Sequence, residues 1–291
     1  VVAVALAGET PRAYPIQILI WHEIVNDRIG GRNVAVTFCP LCNTAVVFDR
    51  VVDGRELTFG TTGNLRRSDL VMWDRQTESW WQQFSGEALV GELTGTTLDI
   101  VPSQLISWGD FTERFPEGEV LTRETGNARN YGMNPYQGYD ELNTDPFLLD
   151  AEVPRDDRLA PKERVVTLGG AEHFTAVPFS LLREQPVQNL TVGGDSVVVF
   201  WRPGTASALD DSTIADGRDV GSVVVYSRTV DGTIREFSPG SGDTLVDDAG
   251  TTWDVSGRPA GGGSGALTPV AHDTPFWFAV AAFVADPEIV G

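Results

Sequence analysis

Lysine is almost missing from this 291-residue chain: of its 21 basic residues only Lys162 is a lysine, against 41 Asp and Glu, for a formal net charge of −20. A surface crowded with carboxylates repels phosphate backbones and anionic lipid, which excludes nucleic acid and membrane surfaces as partners. Dense acid with so little lysine resembles proteins of very saline surroundings, where salt screens the self-repulsion. A salt-adapted organism is expected. No run of about 18 apolar residues occurs, so no membrane-spanning helix is expected. The apolar opening, residues 1–7, is too short for a signal peptide and has no basic segment before it. The chain starts without Met and reads as a processed or trimmed product whose upstream address, signal or lipid anchor, is not in view. Soft donor atoms are scarce as well, with two Cys, two Met and three His. A chain of this length buries enough surface to need no disulfide staples.

What is present is folded protein: 41% hydrophobic and 21% charged residues, with aromatics spread throughout, exclude a disordered or low-complexity chain. An internal repeat organises it. Pro15 matches Pro178, and the same offset of 163 pairs Asn26 with Asn189, Gly30-Gly31 with Gly193-Gly194, and Val34, Val36 and Phe38 with Val197, Val199 and Trp201. Further on, Arg50 and Asp53-Gly54 match Arg228 and Asp231-Gly232 after the second copy has gained a Ser/Asp/Gly-rich loop near residues 206–219. Asp74 and Trp80 resemble Asp248 and Trp253, and Trp108 resembles Trp277. The expected organisation is an N-terminal repeat over 1–117, an ordered, loop-rich connector over 118–164 anchored by Tyr131, Tyr136 and Tyr139, and a C-terminal repeat over 165–291.

Within a copy, β-branched runs bounded by Gly and Asp predict strands at 34–38, 45–50, 56–59 and 69–74. Asp53-Gly54 predicts a tight hairpin turn. Pro15 pre-sets the first turn of a short helix over 16–26. The expected class is α+β, mainly β: two tandem copies of one strand-rich domain with short helices.

The copies also act as a control on each other, because what both keep serves the shared fold and what one alone has is local chemistry. His22 becomes Gln185, Cys39 becomes Arg202, Cys42 becomes Thr205 and Met72 becomes Val246. The soft donors therefore belong to the first copy. Cys39-Pro40-Leu41-Cys42 sits between two expected strands rather than at the start of a long helix, where a dipole would lower a redox thiol's pKa. Both sulfurs of such a turn can converge on one ion. No second Cys pair exists for a zinc ribbon, so the remaining ligands must be of other types, and two thiolates, the imidazole of His22 and the thioether of Met72 describe a soft site suited to copper, with zinc as the alternative. Trp21, Trp73, Asp74, Arg75, Glu78 and Trp80 are expected around it.

Blander readings stand beside these. Buried cysteines pack as small hydrophobes, His22 can be a satisfied core histidine, and Met72 can be core filling on an alternating strand. His173 and His272 lack thiol neighbours and read as structural. The carboxylates of Asp74 and Glu78 fit a turn better than a glycosidase pair, and Ser79 and Ser107 lack a nucleophile-elbow context. Asn189-Leu190-Thr191 fits a glycosylation acceptor but matches Asn26 of the other copy. No catalytic residue is assigned.

Taken together, residues 12–15 (RAYP), 21–27 (WHEIVND), 38–45 (FCPLCNTA), 72–79 (MWDRQTES) and 276–279 (FWFA) resemble the family catalogued as domain of unknown function 3179. The resemblance spans most of the chain. It implies an extracytoplasmic bacterial or archaeal protein, often exported or lipid-anchored, and no known activity. Asn43 departs from the family's usual Gly, yet Asn is the next-best residue for a left-handed backbone. The leading expectation is an extracytoplasmic copper-binding protein for copper handling or electron transfer, with a redox or metal-transfer partner. Two alternatives are a thiol-disulfide oxidoreductase using the Cys pair, and a cell-surface or filament assembly protein, a homo-oligomer, with the pair merely structural.

Overall fold

A computed structural model describes residues 1–149, 153, 155–170, 173–262 and 265–291. Strands hold 39% of the chain and helices 11%, in several small sheets with few short helices. The protein is mainly β. Among the described residues no helix is long and apolar enough to cross a membrane.

The first half opens with β1 (Val2–Val4) antiparallel to β2 (Arg12–Tyr14). Pro15, at φ −62°, starts α1 (Ile16–His22), which buries Ile16, Ile18, Leu19 and Ile20. The helix predicted to reach Asn26 stops at His22, because Glu23 takes a left-handed φ of 59° and turns the chain into β3 (Ile24–Ile29). The β-branched residues after it pair better with a neighbouring strand than they extend a helix. β3 pairs with β4 (Arg32–Thr37), and β4 with β5 (Val47–Asp49). The expected turn lies between β6 (Val51–Val52) and β7 (Arg55–Glu56), with Asp53 and Gly54 at φ 49° and 75°. Positive φ at both central residues matches the twist of the flanking strands. β8 (Phe59–Arg66), β9 (Asp69–Asp74), β10 (Trp80–Gln82) and β11 (Ala88–Val90) form one antiparallel sheet. β12 (Gln104–Leu105) pairs with β1, and after α2 (Trp108–Arg114) the strand β13 (Glu119–Val120) pairs parallel with β2.

The second half runs the same way. β14 (Val165–Gly170) lies antiparallel to β15 (His173–Pro178), α3 (Phe179–Glu184) follows Pro178, and β16 (Val187–Val192), β17 (Asp195–Arg202) and β18 (Ser222–Ser227) form a three-stranded antiparallel sheet. β19 (Thr229–Val230) and β20 (Thr233–Ile234) form a ribbon, and β21 (Phe237–Pro239), β22 (Thr244–Asp247) and β23 (Thr252–Asp254) a small sheet. After α4 (Trp277–Phe283), β24 (Glu288–Ile289) pairs parallel with β15, as β13 does with β2.

Side chains recur along with the strands. Asn26 grips the backbone of Phe59 through both amide atoms, at 2.8 Å each, and Asn189 grips Phe237 at 2.7 and 2.9 Å. Asp74 accepts from the Trp81 indole at 2.9 Å, and Asp247 from the Trp253 indole at 3.0 Å. These like contacts involve Asp74 with Trp81 and Asp247 with Trp253, one position away from the Asp74, Trp80 and Asp248 pairing read from the sequence. Met72 lies register-opposite Trp81 as Leu245, not Val246, lies register-opposite Trp253.

The halves interlock. The largest apolar core belongs to the first half but takes in Leu209, Ile214, Phe276, Phe278 and Ala279 from the second. Between the halves, Tyr136 and Tyr139 pack on that core, and Tyr131 reaches His22. Connector positions 150–152 and 154 lie outside the described residues.

Candidate metal centre

β4 runs straight into the turn that holds both cysteines. Its residues 34–37 are buried on both faces, so the chain leaves the strand inside the core rather than at the surface. The Cys39 N–H donates to Thr44 O at 2.9 Å and closes the turn. Asn43 has φ 56°, the left-handed conformation expected of it. Its side chain donates to Thr274 O at 2.8 Å, the Ala45 N–H to Asp273 Oδ1 at 2.9 Å, and the Phe276 N–H to Cys42 O at 2.8 Å. A segment from the far end of the chain thus clasps the turn. Beneath it, Thr37, Thr44 and Gln83 form a buried chain of hydrogen bonds.

Cys39 and Cys42 are both free thiols, fully buried, and the residue that meets them is Asp69. One donor atom from each of the three lies within 4.8 Å of the others. The Cys42 thiol faces Ser68 O at 3.4 Å. Asp69 Oδ2 accepts from the Gln82 side chain and from the Phe84 N–H at 3.0 Å, which fixes the carboxylate, while Oδ1 is buried with no hydrogen-bond partner among the described residues. An unpaired buried carboxylate oxygen is costly. Burial pushes both thiols up, Cys42 well above its ordinary value, and raises the Asp69 carboxyl to about 6. Glu23 is also pushed up, by burial first and then by Asp69. Tyr136 rises to about 12, through burial and then Glu23 and Cys39, and Tyr139 rises through burial, with both thiols adding to it. Protonated, the cluster is neutral. Ionised, it concentrates negative charge in a place water does not reach.

The sequence had pointed to other partners for the cysteines. His22 does not join the cluster: its Nε2 is 2.6 Å from the Tyr131 hydroxyl, which also contacts Thr125. Met72 is fully buried on β9 three residues from Asp69, and an odd step along a strand points to the opposite face. It fills core opposite Trp81. Trp73, Asp74, Arg75, Glu78 and Trp80 sit at the far end of β9, roughly 15 Å of strand from Asp69. Asp74 organises the turn there, accepting from the Thr77 N–H at 2.6 Å, while Arg75 lies over the Trp73 ring and Trp80 is 41% exposed. Trp21 packs on the main core with its indole N–H unpartnered among the described residues. Proximity in sequence to Met72 had drawn these residues toward the site, and the length of the strand carries them away from it.

Asp69 went unread although one signal was available. Ten residues separate Thr61 from Met72 across the β8–β9 hairpin, whereas five separate their counterparts Pro239 and Leu245. The extra length of the first hairpin carries Ser68 and Asp69. No curated protein and no solved structure matches the chain. Residues 1–288 match the family described as protein of unknown function DUF3179, and the chain belongs to that family.

Proposed function

We propose that this is a metal-binding protein whose centre is Cys39, Cys42 and Asp69. The observation that carries the reading is the convergence of two buried thiols on the Asp69 carboxylate, one of whose oxygens has no hydrogen-bond partner among the described residues. Loading an ion there removes both thiol protons, and that of Asp69 below about pH 6, with Gln82 and Phe84 holding Oδ2 as an outer layer commonly does. The donors S, S and O suit a d10 ion. A dication leaves one net negative charge in the buried site and copper(I) leaves two, so zinc fits this set better than copper now that imidazole and thioether lie outside it. The enclosed position favours holding or handing on a metal over hydrolytic catalysis, which keeps an open coordination position. Thiol-disulfide exchange fits less well, because burial raises both thiols and an attacking sulfur must be a thiolate.

The same reading carries two wider parts. The halves derive from one duplicated unit, supported by the paired topologies and by the Asn26/Asn189 and Asp74/Asp247 contacts. The protein works outside the cytoplasm, as its family resemblance implies, and in a salt-adapted organism, supported by its acid-rich, lysine-poor composition. Elemental analysis of natively purified chain tests the centre. About one metal per chain, absent from Cys39→Ser and depleted in Asp69→Asn, is expected; metal-free protein that takes up neither zinc nor copper(I) after reduction would overturn the reading.

A further inference from the structure

The loop gained by the second half, of no use to the metal centre, walls a cavity of about 640 Å³. The opposite wall comes from residues 15–18, 105–108 and 120–123 of the first half, and residues 204–208 and 220–222 close the other side. The size lies in the range of small-molecule sites, roughly 300–1,000 Å³. Ile16, Ile106, Phe179 and Ile214 are buried in the lining, and Trp108 and Val120 stand 50% and 40% exposed in it. Exposed large apolar residues that continue into an apolar cavity mark a way in for an apolar ligand.

The charge of the lining runs against that of the molecule. In a chain with 41 acidic residues, no Asp or Glu among the described residues lines this cavity, and the charged side chains described in its lining are Arg123 and Arg164. Arg164 is committed to Asp140 at 2.8 Å. Arg123 is not: it donates to the Gln17 side chain at 2.9 Å, itself in the lining, and makes no ion pair among the described residues. A single uncompensated guanidinium beside an apolar cavity selects a ligand with one negative charge and a long apolar body.

We propose that the cavity binds a long-chain aliphatic carboxylate, its tail among the aliphatic walls and its head at Arg123. The site stands whether or not the cysteines hold a metal. Its inner lining includes Phe38 and Asn43, on either side of the Cys turn, so an occupant touches the strand end that carries that turn.

The test is binding of the fluorescent C18 acid cis-parinaric acid to the full chain, with palmitate and methyl palmitate as competitors. Saturable binding of one probe per chain, displaced by palmitate at least tenfold better than by its methyl ester, is expected. Arg123→Glu should weaken palmitate by tenfold or more and leave the ester unchanged. Ala206→Trp, at an exposed position of the lining, should weaken both, with unchanged thermal melting showing that the variant is folded. Absence of saturable binding by the wild-type chain would overturn the proposal. Equal displacement by acid and ester, or palmitate binding untouched by Arg123→Glu, would overturn the placement of the head.

Discussion

β4 and β17 are each the middle strand of a three-stranded antiparallel sheet, and their ends carry different chemistry. In the first half the chain passes from the strand into Cys39 and meets a carboxylate, Asp69, from the β8–β9 hairpin. In the second half it passes into Arg202, which meets Asp243, from the β21–β22 hairpin, at 3.4 Å and Asp110 of α2. Asp69 and Asp110 lie in a nearly dry interior, whereas Asp243 reaches solvent. The second half supplies a guanidinium to balance the acids it meets, and the first supplies two thiols that can only add negative charge. A buried anion must be paired, protonated or metal-bound. The comparison makes the first site dependent on protons or a cation from outside, and the second self-sufficient.

The largest expected effect breaks this comparison at its first side. Cys39→Ser should abolish stoichiometric metal uptake, read by elemental analysis, while Arg202→Ala leaves uptake unchanged.

Acidity comes next. Metal displaces both thiol protons below their raised pKa values, and also that of Asp69 below about 6. As pH falls, apparent affinity should therefore weaken by about a hundredfold per unit down to pH 6 and by about a thousandfold per unit below it. Competition with a chelator across that interval measures both slopes, and a slope of one proton or fewer would remove the dithiolate. The metal-free protein behaves in the opposite sense. The folded-state pKa of Asp69 and of Asp273, each raised by burial to about 6, lies above the ordinary 3.8 of an aspartate, so the folded state binds these protons more tightly than the unfolded. Their contribution is fully present below about pH 4 and is lost as pH rises to about 6. Asp69→Asn should flatten that loss in urea titrations of metal-free protein.

Arg202→Ala tests the other side. It leaves Asp110 without its Arg202 partner and should cost about 3 kcal/mol of stability, measured by denaturant unfolding at neutral pH. Smallest is the effect where the halves agree. Asn26→Ala and Asn189→Ala each remove two hydrogen bonds to a buried Phe and should each cost about 2 kcal/mol, with no effect on metal. Unequal costs would sharpen the contrast by showing that one half carries more of the stability.

Much of the local structure was legible because it depends on neighbours in sequence. Asp53-Gly54 and Asp231-Gly232 both turn with φ 49° and 75°, and Asn43 takes the left-handed backbone. The helix after Pro15 was seen but drawn too long, since its stop at Glu23 comes from β3 pairing with β4 and not from a Gly or Pro. The pairing of Asp74 with Asp248 lies one position from the like indole contacts because the hairpin lengths differ, which only the structure reveals. At the site, the cysteines were found because they are rare and adjacent. His22 and Met72 were added because they are rare. Rarity says nothing about direction, and a ligand must point at its ion.

The sequence by itself determined the mainly β class, the strand-turn placement of the Cys pair and the membership of the chain in its family, all of which follow from local pattern and residue type. Only the tertiary structure decided that Asp69 meets the two thiols, that the far end of the chain clasps the Cys turn, and that His22 and Met72 turn elsewhere. Such contacts join residues tens to hundreds of positions apart. They are set by which faces are buried together when the halves interlock, a property of packing that no single stretch of sequence contains.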